Sequence, residues 1–136
     1  MQDVKTFFDT NMIIYAYSNN DEYKKELSLS LFDNSICHIS YQVIREFINI
    51  FTKLGNNNCN DLIDIVNDII STFEIAPEST DLLLYGIIIR DKYKFSYYDS
   101  LIISAALLCN CSILYSEDMQ HGQLIENKLK IINPFI

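Results

Sequence analysis

The spacing of apolar residues along the chain switches repeatedly between the two-residue period of a strand and the three-to-four-residue period of a helix. Residues 4–8 form a short β-type run that ends at Asp9, and residues 11–17 carry apolar side chains at helical density, which together read as strand, turn, helix. A second helix is predicted over 22–32, a strand over 36–39, and a third helix from an N-cap at Ser40 to Leu54. The run 55–60 (Gly-Asn-Asn-Asn-Cys-Asn) is the clearest loop. Leu62, Ile65, Val66, Ile69 and Ile70 then mark an amphipathic helix, followed by a short strand over 72–76 that Pro77 ends. Helices from Ser79 to about Lys92 and from the cap Ser96 over 97–108 precede strands at 112–115 and 130–132.

Short strands alternating with helices imply parallel pairing through right-handed crossovers, with helices on both faces. The predicted class is α/β: a three-layer α/β/α sandwich around a short, mostly parallel sheet. With 136 residues there is chain for one domain, 1–136, and a 49% hydrophobic content excludes disorder. Apolar runs are far shorter than the roughly 18 residues of a membrane span, and the first nine residues lack the pattern of a secretory signal, so the expected location is the cytoplasm. Cys37, Cys59, Cys109 and Cys111 show neither a C-x-x-C pair nor histidines at zinc spacing, and read as reduced, mostly core residues.

In an open parallel sheet the site lies beyond the carboxyl ends of the strands. Asp9 follows the first strand, Ser116-Glu117-Asp118 follows the strand at 112–115, and Asp99 sits in the first turn of the helix leading into that strand. Each acid also has a plainer reading: Asp9 or Asn11 as a helix cap, Ser96-x-x-Asp99 as a capping box, Asp118 as the start of a turn. For Asp99 the helical geometry argues against capping alone. Ile103 at i+4 and Ala106 at i+7 lie within about 40° of it, so its carboxylate shares the apolar stripe. Glu46 likewise shares the edge of the face formed by Val43, Phe47, Ile50 and Leu54. A carboxylate there is costly unless it is paired, holds a metal or snorkels to water.

Cationic partners are scarce, with ten Lys and Arg in all and both Arg45 and Arg90 on outward-facing helix positions. Oxygen donors without His or Cys suit a hard cation, Mg²⁺ or Mn²⁺, one ion or a pair, and phosphoryl chemistry in which such ions lower the pKa of a water and neutralise developing charge.

These residues resemble the PIN-domain ribonucleases and, among them, the VapC-type toxins of bacterial toxin-antitoxin pairs. The resemblance covers nearly the whole chain: Phe8-Asp9-Thr10-Asn11, Glu46 within Gln42-Val-Ile-Arg-Glu-Phe47, Tyr97-Tyr98-Asp99-Ser100-Leu101-Ile102, Ser116-Glu117-Asp118 with Gly122, and Asn133-Pro-Phe135. It implies that Asp9, Glu46, Asp99 and Asp118 form an acidic cluster that is both catalytic and the ligand set for one or two Mg²⁺ or Mn²⁺ ions. Asn11 and Ser116 match polar positions that orient the cluster, while Glu117 is not implied as a primary ligand. The implied activity is endoribonuclease hydrolysis of RNA by a metal-activated water, and the implied partners are RNA, a cognate antitoxin and a second copy in a homodimer. Residues 54–79 carry no family signature.

Among the remaining residues, His121 is of a type that can serve as a general base but lies in a loop, and His38 falls within a predicted strand. Tyr93, Phe95, Tyr97 and Tyr98 cluster before Asp99 with Lys92 and Lys94 interleaved, a mixture that suits either single-stranded RNA or packing at a helix start; Lys92 and Lys94 are the candidate phosphate contacts. The net charge of -8 and isoelectric point of about 4.5 oppose a plain nucleic-acid binder. Two divalent ions among the four acids would bring that charge to about -4. Competing readings are a PIN-fold protein that binds RNA or a partner without catalysis and a structure-specific DNA nuclease.

Overall fold

The computed structural model describes residues 4–55 and 58–136. Among them are six strands, β1 Lys5–Phe8, β2 Ile36–Ser40, β3 Glu74–Ala76, β4 Ile113–Tyr115, β5 Leu124–Ile125 and β6 Leu129–Ile132. Six helices accompany them: α1 Thr10–Tyr17, α2 Glu22–Phe32, α3 Tyr41–Leu54, α4 Cys59–Thr72, α5 Thr80–Tyr93 and α6 Tyr97–Leu108. The strands form one sheet in the order β3-β2-β1-β4-β6-β5, parallel throughout except for the antiparallel pair of β5 and β6.

β1 lies at the centre because Phe7 and Phe8 are apolar and Thr6 has its hydroxyl satisfied by Ser35, so both faces can be covered, as a parallel strand requires. From β1 the chain steps to β2 and on to β3 through α1 to α4. It then returns through α5 and α6 to β4 on the other side of β1. Right-handed crossovers in opposite directions place the two helix groups on opposite faces. Accordingly α1 packs on α2 and α3 while α5 packs on α6, which is the expected three-layer α/β sandwich. Phe8, Phe32 and Phe73 meet edge to face in the core, with Phe8 and Phe32 centroids 4.8 Å apart.

The helix caps follow the polar residues read from sequence: Ser40, Ser79 and Ser96 each accept an N–H from the first turn of their helices. Two boundaries around α4 move, and one further strand appears. Asn58 caps α4 by accepting the Asp61 N–H at 2.8 Å, so the helix starts at Cys59 and the predicted loop is shorter; its residues 56 and 57 lie outside the described residues. Thr72 is helical rather than the start of a strand, because α4 closes with Phe73 N donating to Ile69 O. β5 was not foreseen: two residues carry no periodicity, and the strand exists through a turn in which Glu126 and Asn127 adopt left-handed φ of 54° and Lys128 N donates to Ile125 O. Gly86 lets α5 and α6 approach closely, since a Cβ there would stand 2.8 Å from the Leu101 Cδ2 methyl, which would have to shift. No helix among the described residues is long and apolar enough to cross a membrane.

Candidate active site

β1 and β4 are neighbours whose chains leave in opposite directions, which makes the gap beyond their carboxyl ends the switch point of the sheet. Asp9 and Ser116 emerge there side by side. Asp9 N donates to Tyr115 O at 3.0 Å, and the Ser116 hydroxyl donates to Asp9 Oδ2 at 2.9 Å. Asp9 is also the N-cap of α1, its Oδ1 accepting the Thr10 N–H at 2.7 Å. Asp9 therefore caps α1 with one oxygen while its other oxygen accepts from Ser116 at the end of β4.

The other three acids arrive from separate elements. Glu46, midway along α3, accepts the Thr10 hydroxyl at 2.6 Å. Asp118, in the loop after β4, accepts Asn11 Nδ2 at 2.8 Å. Asp99 lies in the first turn of α6, where its backbone N–H donates to Ser96 Oγ at 3.1 Å. Together Asp9, Glu46, Asp99 and Asp118 line one cavity of about 320 Å³ with Thr10, Asn11, Asn49 and Ile50. Thr10 and Asn49 escaped the sequence reading, although Asn49 stands at i+3 from Glu46 on the same helix face.

Burial pushes the Asp9 carboxyl up to about 6, against the bonds from Thr10 and Ser116, and repulsion from Asp99 and Glu46 adds to the rise. Burial likewise raises Asp99, with Asp118 and Glu46 contributing repulsion. Among the described residues, none of the four acids forms an ion pair with a Lys or Arg. Nor do any three His, Cys, Asp or Glu side chains among those residues stand close enough to enclose an ion by themselves. All-oxygen donors around an open cavity suit a hard divalent cation that keeps part of its water shell.

Glu117 faces away from this cavity. It accepts from Tyr15 OH and pairs with Lys24, whose ammonium also lies over the rings of Tyr15 and Phe135 at 4.8 and 5.1 Å. Burial would raise the Glu117 carboxyl, but Lys24 and Tyr15 outweigh it and hold the group below its usual range. His121 accepts the Asn133 N–H on Nδ1 at 3.0 Å, tying its loop to the C-terminal segment, and His38 is buried in β2. Of the cysteines, Cys37 and Cys111 are buried, and burial pushes the Cys111 thiol up to about 12.

Lys92 and Lys94 are not brought to the carboxylates. Lys92 pairs with Glu126 at 2.6 Å, and Lys94 takes the left-handed position ending α5; both line a separate surface hollow with Ile87, Ile88, Arg90 and Phe95. Tyr93 is likewise committed, its hydroxyl donating to Glu126 at 2.8 Å. Within the aromatic cluster, Tyr98 alone is largely exposed.

No curated protein matches the chain significantly in sequence. Solved structures resemble its fold. VapBC2 from Rickettsia felis bound to a DNA fragment from its promoter aligns over 96% of this chain and all of that one, at 20% identity and a TM-score of 0.69. A toxin-antitoxin complex from Klebsiella pneumoniae covers 95% of this chain and 97% of its own, at 20% identity and a TM-score of 0.72. The sarcin-ricin loop cleaving toxin VapC20 from Mycobacterium tuberculosis covers 83% and 89%, at 12% identity and a TM-score of 0.67. In sequence, the family profile described as the PIN domain matches residues 6–124, and the chain belongs to the PIN domain family.

Proposed function

We propose that this protein is a metal-dependent endoribonuclease and the toxin of a toxin-antitoxin pair. The observation that carries the reading is the convergence of four carboxylates, from β1, α3, α6 and the loop after β4, on one cavity without an ion pair among the described residues. A protein that only binds gains nothing from mutually repelling acids. Asp9, Glu46, Asp99 and Asp118 are the proposed ligands of Mg²⁺ or Mn²⁺, which would supply an activated water and offset charge on the phosphate.

The chain's own groups orient those acids. Ser116 and the Thr10 N–H fix both oxygens of Asp9, the Thr10 hydroxyl fixes Glu46, and Asn11 fixes Asp118. Each carboxylate keeps acceptor capacity beyond these bonds. The phosphodiester of RNA is positioned against this edge, where the Asp9 carboxyl, raised by burial to about 6, is mostly ionised at neutral pH.

Similarity to toxin-antitoxin complexes supports an antitoxin as the partner. A homodimer is supported by α5, whose Leu83, Leu84, Ile87 and Ile88 are about half exposed on a helix that is apolar nearly all round. The deciding experiment is induced expression of wild type beside Asp99→Asn, reading growth and RNA integrity together, with EDTA added to the purified enzyme. Arrest and cleavage by wild type alone, abolished by EDTA, is the expected result; equal arrest by both proteins would remove catalysis as its cause.

A further inference from the structure

A second cavity, of about 620 Å³, lies between α3, the start of α5 and α6, and shares Glu46 with the carboxylate cavity. Leu82, Leu101 and Ala105, all buried, give it an apolar floor, while Tyr98, Arg45 and Glu78 line it from exposed positions. Tyr98 is 67% exposed, yet it is held: Gln42 Nε2 donates to its carbonyl at 3.1 Å, and the Tyr97 ring packs against its own at 6.0 Å between centroids. Beside it, Arg45 donates to Glu78 Oε1 at 2.8 Å.

An exposed aromatic at the rim of a cavity with a buried apolar floor is a platform for a base lifted from its stack. A guanidinium next to a carboxylate offers donors and acceptors together. Guanine presents the complement, with acceptors at O6 and N7 and donors at N1 and N2 on adjoining edges, whereas no other RNA base carries that order. Because Glu46 lines both cavities, the two adjoin, and a nucleotide seated in this one would direct its backbone toward the carboxylate cavity.

We propose that this cavity receives an unstacked guanine of single-stranded RNA, one nucleotide from the cut, and so sets sequence preference; this rests on the ribonuclease reading above. Arg45 and Glu78 are specificity residues and Tyr98 the stacking platform. The Arg45–Glu78 pair is exposed, and pairs of this kind add little to folding, so variants there keep the fold.

The test incubates the full chain with random-sequence single-stranded RNA and Mn²⁺ and sequences the new ends. Guanine is expected to be enriched about tenfold at one fixed position beside the cut, and Glu78→Gln and Arg45→Met each to reduce that enrichment to about twofold while slower cleavage continues. Tyr98→Ala slows cleavage of all sequences alike. Enrichment of a different base, or a guanine preference that survives both substitutions, overturns the proposal. In parallel, methyl NMR of the metal-free chain is recorded with GMP, AMP, CMP and UMP. Selective movement of the Leu101 methyls by GMP supports the pocket even if no RNA is cut, in which case the nuclease reading alone fails. An equal response to all four, or a response only to a co-purified protein, overturns the pocket.

Discussion

The Ser116 hydroxyl donates to Asp9 Oδ2 at 2.9 Å while accepting the Met119 N–H at 3.3 Å, so one side chain joins the ends of β1 and β4 and shapes the loop that carries Asp118. Ser116 is fully buried, and nothing replaces it when it is removed. In Ser116→Ala, Asp9 loses a donor that favours its charged form and Met119 loses an acceptor. Divalent-ion affinity, read by calorimetry, is expected to fall roughly 10- to 100-fold, with about 1 kcal/mol lost in urea unfolding. Unchanged affinity would mean that Ser116 serves the loop alone.

Thr10 and Glu46 give a second positioning contact, 2.6 Å long and donated by a residue that is almost completely buried. Thr10→Val keeps the shape and the Asp9 cap but removes the donor. Cleavage is expected to drop with kcat more than with KM, while Thr10→Ser recovers most of the loss. A Thr10→Val enzyme with wild-type kcat would show that Glu46 needs no tether.

Asp9 makes the metal-free protein respond to pH. Its carboxyl titrates near 6 in the fold against 3.8 in the unfolded chain, so the folded state binds the extra proton. The stabilisation is full below about 3.8 and is lost as pH rises through about 6. Asp99, also raised, acts in the same direction. The loss for Asp9 is on the order of 3 kcal/mol. Asp9→Asn is expected to flatten this part of the pH profile and to unfold later than wild type at neutral pH without metal; parallel profiles for the two proteins would contradict the buried-charge account.

Divalent ions should reverse that penalty. Saturating Mg²⁺ or Mn²⁺ binds the native state alone and raises Tm, by about 2.7 kcal/mol of stability at a hundred times Kd. Because ions compete with protons for Asp9, the shift is expected to grow between pH 5 and pH 7, and to vanish in Asp99→Asn and after EDTA. A Tm insensitive to both ions at neutral pH would remove the metal from the proposed chemistry.

The exposed apolar face of α5 predicts self-association. Leu84→Glu with Ile87→Glu places charges where Leu84 and Ile87 are 54% and 51% exposed, positions that add little to the core. Sedimentation is expected to show a dimer for wild type and a monomer for the double variant, with unchanged circular dichroism. A wild-type monomer at micromolar concentration would reject this face as the dimer surface.

Local pattern by itself determined most of the elements. Serine caps at 40 and 96 and apolar periodicity marked the helices and the parallel sheet, because those signals lie within a few residues of one another; strand ends singled out Asp9 and Asp118, the apolar stripes of their helices Asp99 and Glu46, and the family resemblance grouped the four. β5 escaped because a two-residue strand exists only through its partner β6. Tertiary structure decided everything that depends on which distant groups meet. Glu117 and Asp118 are adjacent in sequence, yet Lys24 of α2 draws the first outward while Asn11 of α1 holds the second at the cavity. Lys92 stands among aromatic residues in sequence, but Glu126, thirty-four positions away, pairs with it. Even the cavity beside Glu46 arises where Arg45, Glu78 and Tyr98 come together from three separate stretches of chain, and no period along the sequence records that encounter.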